Sequence, residues 1–337
     1  MNNFKVSAVI PVYNAGKYVR KAVESALTQP ETAEVVLVED ASPDDSLAVC
    51  QALAEEFEAV HLFQHPGGAN RGAGPSRNLG IEKSNSPFIA FLDADDFYLP
   101  ERFTISKEIF AKDPDCDGVY EAIGAHYEDA AGKARWLASN MSGVEMTTIT
   151  RPVSPENLFK VLIKGWDGHI HLNGLVIKRS VLQKSGVMNP SIADTLHEDT
   201  DFILKLAAVG RLFSGRLDQP VAMRRVHDAN RVSAPRSEES IYRDKMRLRF
   251  ATYRWCKDKG LKEPQHLMFK RALGDCVREK PINSQFLNRL PKSTKKTYQL
   301  LSWPLNYPEV LLEALYWREL GSSFWGILRN DIVGVNK

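Results

Sequence analysis

Acidic residues in this sequence stand where they can do chemistry. An uncharged run, Phe88-Ile89-Ala90-Phe91-Leu92, ends in Asp93-Ala94-Asp95-Asp96, three acids within four positions. In an extended backbone, alternation puts Asp93 and Asp95 on the same side. Hard divalent cations such as Mg²⁺ take one or two carboxylates and complete their shell with phosphate oxygens and water, a role this pair suits. The competing account is a polar strand exit whose aspartates cap the next helix. Asp40 closes the apolar run Val35 to Val38. There a lone carboxylate either hydrogen-bonds a base or a sugar hydroxyl, or makes a turn with Ser42. Glu198-Asp199 opens an amphipathic stretch. These acids are favoured by a helix dipole without any function, or supply a general base within reach of an acceptor hydroxyl. His227 is either a packed histidine or the partner that closes a metal site opened by Asp95, since imidazole and carboxylate both suit Mn²⁺.

The elements that must position these residues follow from the apolar pattern. Val6 to Val12 predicts a buried strand ended by Pro11, which lacks a donor N–H. Lys17 to Thr28 has helical spacing, and Val35 to Val38 is a second strand. Ser42-Pro43-Asp44-Asp45 predicts a helix start with Ser42 as N-cap. Val60 to Phe63 is a third strand, followed by a loop from His65 to Gly74 that holds four glycines. The loop has no G-x-G-x-x-G between a first strand and helix and no GK[ST] ending, so dinucleotide and Walker-type readings fail. Its backbone can still approach a phosphate, with Arg71 or Arg77 supplying charge; plain flexibility is the other account. Pro75 to Lys83 is helical and leads to the Asp93 strand. This alternation predicts an α/β fold with a mostly parallel sheet and helices on both faces, in which ligands bind beyond the C-terminal strand ends. Tyr13, Asp40, the glycine-rich loop and Asp93/Asp95 all fall at such ends.

Further on, Glu101 to Lys112 is helical, and Gly118 to Tyr127 with Ala134 to Leu137 suggests a hairpin about Asp129-Ala130-Ala131-Gly132. Asn157 to Ile163 and Leu196 to Val209 are helical; His171 to Ile177, Leu212 to Leu217 and Val221 to Val226 are strand-like. Trp166, His169, His171 and Asn173 form a polar, aromatic stretch that is either an acceptor wall or, for Trp166, core packing. From about Ser237 the pattern is helical. The expected organisation is one domain over 1–232 and a basic, aromatic-rich helical region over 233–337.

Composition bounds the rest. The 337 residues are 43% hydrophobic and 26% charged with a net charge of +2, and no run reaches the roughly 18 apolar residues of a membrane span. Met1 to Phe4 leads directly into a strand, so no signal peptide is expected. Cys50, Cys116, Cys256 and Cys276 are widely spaced, without metal-ligand or disulfide spacing, and are read as reduced thiols of a cytoplasmic protein. Residues 241–300 hold sixteen Lys or Arg against five Asp or Glu. That excess, with Trp303, Tyr307, Tyr316, Trp317, Phe324 and Trp325, fits peripheral contact with the inner face of a membrane; the competing account is a helical subdomain whose aromatics pack against the first domain or a second copy of it, and helical spacing predicts such a core before a membrane surface. No nucleic-acid-binding motif accompanies the charge.

The segments Ser7 to Asn14, Val38-Glu39-Asp40-Ala41-Ser42-Pro43-Asp44, Arg77-Asn78-Leu79-Gly80 and Leu92-Asp93-Ala94-Asp95-Asp96, continuing through Glu198-Asp199 and His227, resemble family 2 glycosyltransferases of GT-A fold. The resemblance covers roughly residues 4–232. It implies a metal-dependent, inverting transfer from a nucleotide-sugar, most often a UDP-sugar, to a hydroxyl of a surface glycan or lipid-linked acceptor. Pro11, Val12, Tyr13 and Asp40 then match the base contacts, and Arg77 a residue near the base or diphosphate. Asp93, with Ala94, matches the ribose side of the D-x-D motif. Asp95 and His227 match the Mn²⁺ or Mg²⁺ side, and Asp199 the catalytic base. Glu39 departs from the commoner Asp, and no Q-x-x-R-W is present, which argues against a processive synthase. A sugar nucleotidyltransferase would need a basic, glycine-rich loop after the first strand, where Tyr13-Asn14-Ala15-Gly16 stands. A non-catalytic glycan-binding or scaffold protein would not need intact Asp95 and Asp199.

Overall fold

A computed structural model describes residues 4–138, 145–227 and 236–278. Two compact units divide at Pro235/Arg236. The expected boundary near Val232, the aromatic cluster from Trp303 onward and Cys276's side chain lie outside what is described.

In the first unit, apolar runs alternate with amphipathic helices: β1 (Val6–Val12), α1 (Gly16–Leu27), β2 (Thr32–Glu39), α2 (Ser46–Glu56), β3 (Val60–Gln64), α3 (Ala73–Lys83) and β4 (Phe88–Phe91). Then come β5 (Phe97–Tyr98), α4 (Thr104–Lys112), β6 (Gly118–Tyr120), β7 (Ile123–Tyr127), α5 (Ala130–Ala138), β8 (Met146–Thr147), α6 (Pro155–Lys164) and β9 (Leu175–Lys178). The unit continues through α7 (Leu182–Ser185), α8 (Glu198–Val209), β10 (Leu212–Ser214) and β11 (Ala222–Val226). The main sheet runs β10-β6-β9-β4-β1-β2-β3 and is parallel except for β9, which opposes β4 and β6. A smaller sheet runs β5-β11-β7-β8.

Both faces are covered. Ala8, Ile10 and Val12 of β1 join Val19, Val23 and Ala26 of α1 in one apolar cluster. On the opposite face Gly80 brings α3 so close that a Cβ there would lie 2.4 Å from Val9 Cγ1. Phe202 of α8 meets Phe91 of β4 edge-on at 5.9 Å on that same side. From β1 the chain passes outward to β2 and β3, then returns to the other flank of β1 as β4. The strand order therefore reverses beside β1, where open sheets of this kind bind ligands.

Several expectations are corrected. Pro11 does not end β1: it pairs in register with Val38. Val9 is the last residue paired with β4, and its carbonyl accepts the Leu92 N–H. Two residues on, the N–H that Pro11 lacks faces the flank β4 has already left. The second helix starts at Ser46, and Asp44 accepts from both Ser46 N and Oγ and from Gly16 N. No hairpin follows β7; Asp129 Oδ1 accepts the Gly132 N–H at 2.6 Å and opens α5 instead, since alanine-rich chain favours helix. His171 to Gly174 is a turn, and only Leu175–Lys178 is strand.

The second unit contains α9 (Glu238–Asp258) and α10 (Lys262–Arg278). Met246, Phe250 and Tyr253 of α9 are buried, with the Tyr253 and Phe269 rings 5.8 Å apart. Arg249 pairs with Asp275 at 3.2 Å. Among the described residues no helix is long and apolar enough to cross a membrane.

Candidate active site

The acidic run does not stay extended. β4 ends at Phe91, and the Asp96 N–H closes a tight turn on Asp93 O at 3.0 Å. The expected same-side pair is thereby split, and the acids point at different partners. Asp93 meets the Arg77 guanidinium at 2.5 Å; the Arg77 side chain is 8% exposed and that of Asp93 28%. Burial would raise the Asp93 carboxyl, but Arg77, and then His171, hold it below the usual carboxylate range. Burial likewise opposes the Arg77 charge, which Asp93, Glu198 and Asp199 favour. Ala94, 5% exposed, forms the buried shoulder of the turn.

Asp95 Oδ2 lies 2.9 Å from His227 Nε2, just past the end of β11. The His227 ring stacks 4.8 Å from that of Tyr18 in α1. Arg225 lies over the same Tyr18 ring, donates Nε to Asp95 O at 2.8 Å and pairs with Glu128 at 3.0 Å. No cluster of three metal-ligating side chains occurs among the described residues. Two donors 2.9 Å apart nevertheless match neighbouring ligands that sit about 2.1 Å from an octahedral ion, with open positions left for phosphate and water. The donor set fits Mn²⁺ or Mg²⁺.

On the other flank, Tyr13 is 55% exposed beyond β1, while Pro11 and Val12 are buried beneath it. The turn that carries Tyr13 is fixed by the loop after β2. Ser42 Oγ accepts the Asn14 N–H, Ser46 Oγ that of Ala15 and Asp44 that of Gly16. Asp40 is buried and holds the glycine-rich loop: its oxygens accept the Arg71 N–H at 2.7 Å and the Gly72 N–H at 2.8 Å. The anticipated turn with Ser42 belongs to Glu39, whose Oε1 accepts the Ser42 N–H.

Asp199 sits half-buried in the first turn of α8, and its Oδ1 accepts the Thr200 N–H at 2.6 Å. The segment leading to α8 is pinned to α3 by Asn78, which both donates to and accepts from the Met188 backbone at 2.9 Å. Trp166 is 79% exposed, so it is not a core residue. Asn173 is fully buried and cannot line an acceptor wall. Instead it accepts the Asp93 N–H with Oδ1 and donates Nδ2 to Asp96. Arg225, Glu128 and Tyr18 had no local signature, and Asp96 and Asn173 stood in the acidic run and the polar stretch without their partners being evident, because each acts through residues distant in sequence.

A mostly parallel sheet with one reversed strand and helices on both faces, with a glycine-rich loop and an acidic turn at its switch point, is a GT-A architecture. Residues 7–183 match the family model "Glycosyl transferase family 2", and the chain belongs to that family. It is 40% identical over 100 residues to the uncharacterized glycosyltransferase YibD of Escherichia coli K12. It is 41% identical over 97 residues to the succinoglycan biosynthesis protein ExoU of Rhizobium meliloti. Each match covers 29% of this chain and 28% of the relative's length. Among solved structures, S. aureus TarS 1–349 superposes with a TM-score of 0.56 at 16% identity, over 88% of this chain and 80% of that one. TarS 1–349 has also been solved with UDP-GlcNAc, and that structure superposes with a TM-score of 0.53 at 17% identity, over 97% of this chain and 80% of that one.

Proposed function

We propose that the chain moves a sugar from a nucleotide-sugar to a hydroxyl of a glycan or lipid-linked acceptor, in one in-line displacement that inverts the anomeric carbon. The observation that carries this reading is the turn 93–96, which directs Asp93 to Arg77 and Asp95 to His227 at the sheet's switch point. Asp95 and His227 would hold Mn²⁺ or Mg²⁺, which supplies positive charge against the departing diphosphate. Arg77 is the buried cation on the ribose and diphosphate side, oriented by Asp93. Tyr13 stacks on the base, with Pro11, Val12 and Asp40 beside it. Asp199 takes the proton of the acceptor hydroxyl.

The test is thermal stabilisation by UDP, GDP, CMP and dTDP, each with and without Mn²⁺, on the wild type and on Asp95→Ala. UDP comes first because the fold neighbour was solved with UDP-GlcNAc. A ligand that binds only the folded chain raises its midpoint by mass action. One nucleotide is expected to stabilise the wild type in a Mn²⁺-dependent way that Asp95→Ala loses. No shift with any nucleotide would refute the reading.

A further inference from the structure

Asp95 and His227 come from different elements, the turn after β4 and the end of β11. We infer that Asp96 and Asn173 are a positioning pair that sets the distance between these two side chains while touching neither ion nor nucleotide. The inference rests on the metal reading above.

The argument starts where a ladder stops. β5 and β11 pair antiparallel at Met223↔Phe97 and Ala222↔Tyr98. One step further the backbone of Asp96 has turned away, its N–H committed to Asp93 O. The side chain takes over as acceptor: Asp96 Oδ1 receives the Arg225 N–H at 2.7 Å. Asp96 Oδ2 receives Asn173 Nδ2 at 2.6 Å, and Asn173 Oδ1 receives the Asp93 N–H at 3.1 Å. Two buried side chains thus tie β11, the acidic turn and the segment before β9 together. Arg225, held by its N–H, returns Nε to Asp95 O at 2.8 Å, and His227 follows two residues on. The pair is backed by buried structure: Asn173 O accepts Arg102 Nε at 3.2 Å, and Arg102 pairs with Glu121 at 3.1 Å with neither side chain exposed. A buried acid and amide are tolerated only when donors face acceptors, and here both atoms of each terminal group are used.

That donor–acceptor order gives the test. Asp96→Asn sets an amide N–H against Asn173 Nδ2 or forfeits the Arg225 bond; Asn173→Asp sets two buried carboxylates together. The double variant Asp96→Asn/Asn173→Asp keeps every bond, with donor and acceptor exchanged between the two side chains. Mn²⁺ affinity is read by electron paramagnetic resonance, in the presence of whichever nucleoside diphosphate stabilises the wild type. Circular dichroism checks the fold. Each single variant is expected to weaken Mn²⁺ binding about 10- to 100-fold, the range for groups that orient metal ligands. The double variant is expected to return within about threefold of wild type. Folded single variants that bind Mn²⁺ like wild type overturn the inference, as does a folded double variant as weak as the singles. If the singles do not fold, the double variant decides alone on the same threefold criterion. A wild type that binds no Mn²⁺ with any of the nucleotides removes the metal reading and this inference with it, an outcome distinct from unaffected variants of a wild type that does bind.

Discussion

Arg77→Met removes the guanidinium that pairs with Asp93, and the cost can be worked from the geometry. At an effective dielectric of about 20, opposite charges about 4 Å apart are worth roughly 4 kcal/mol. Asp93 keeps 28% of its side-chain surface in water, which reduces this to roughly 2–3 kcal/mol. Arg77 Nε has no hydrogen-bond partner among the described residues, so losing that donor costs nothing further. The Asp93, Glu198 and Asp199 charges that Arg77 faced are left mutually repelling, which restores the figure to about 3 kcal/mol. At 2–4 °C per kcal/mol the melting temperature of the ligand-free protein should fall by about 6–12 °C. The sign with pH follows from the depressed Asp93 carboxyl. A folded-state value below the unfolded one stabilises above the unfolded value, about pH 4, and that stabilisation is lost as pH falls through the folded value. The deficit of Arg77→Met should therefore be full at pH 7 and narrow below about pH 4. Urea denaturation in EDTA, run as a double-mutant cycle with Asp93→Asn, should give a coupling of at least about 1.5 kcal/mol. A coupling under about 0.5 kcal/mol, the worth of an ordinary surface pair, would refute the reasoning.

Two further outcomes are expected. Asp199→Asn should lower transfer at least about 100-fold while leaving nucleotide-dependent thermal stabilisation intact; near-normal transfer would send the search to another base. His171 is held by burial at about 4 against an ordinary 6.5, despite the favourable charge of Asp93. Between those values the unfolded chain binds a proton that the folded chain does not, so stability falls on acidification. His171→Gln should remove that dependence, so that its stability relative to wild type rises by about 2 kcal/mol between pH 7 and pH 5. Parallel urea curves at the two pH values would show otherwise.

What the sequence made legible is what periodicity and local chemistry encode. β1, β2 and β4 are mainly apolar runs, broken only near their starts by Ser7 in β1 and by Thr32 and Glu34 in β2, and their polar C-terminal exits, Tyr13, Asp40 and Asp93, lie at adjacent strand ends as the alternation of strand and helix requires. Local rules also misled. The Asp129 to Gly132 stretch satisfies turn chemistry, yet Asp129 caps a helix. Alternation placed Asp93 and Asp95 together, but β4 had already ended. The Asn173–Asp96 and Arg225–Asp96 bonds span 77 and 129 positions. A buried polar residue has no periodic signature, and its role exists only once distant chain is brought beside it.

Three acids in four positions would repel one another if they shared a face, and the turn is how the fold avoids this. Asp93 is directed to Arg77, Asp95 to His227, and Asp96 to a backbone N–H and an amide. Burial and the neighbouring charges of Asp95 and Asp93 push the Asp96 carboxyl well above its usual range, against the two N–H donors that its oxygens accept. Under the proposed function this division has a consequence for ligand order. With Asp93 neutralised by Arg77, only one carboxylate and one imidazole are left to face an ion. Such a sparse donor set holds a hard cation weakly until phosphate oxygens complete the shell. A nucleoside diphosphate beside Arg77 supplies those oxygens, and the ion in turn offsets the diphosphate's remaining charge. Metal and nucleotide should accordingly bind together, each strengthening the other by the same factor, as linkage requires.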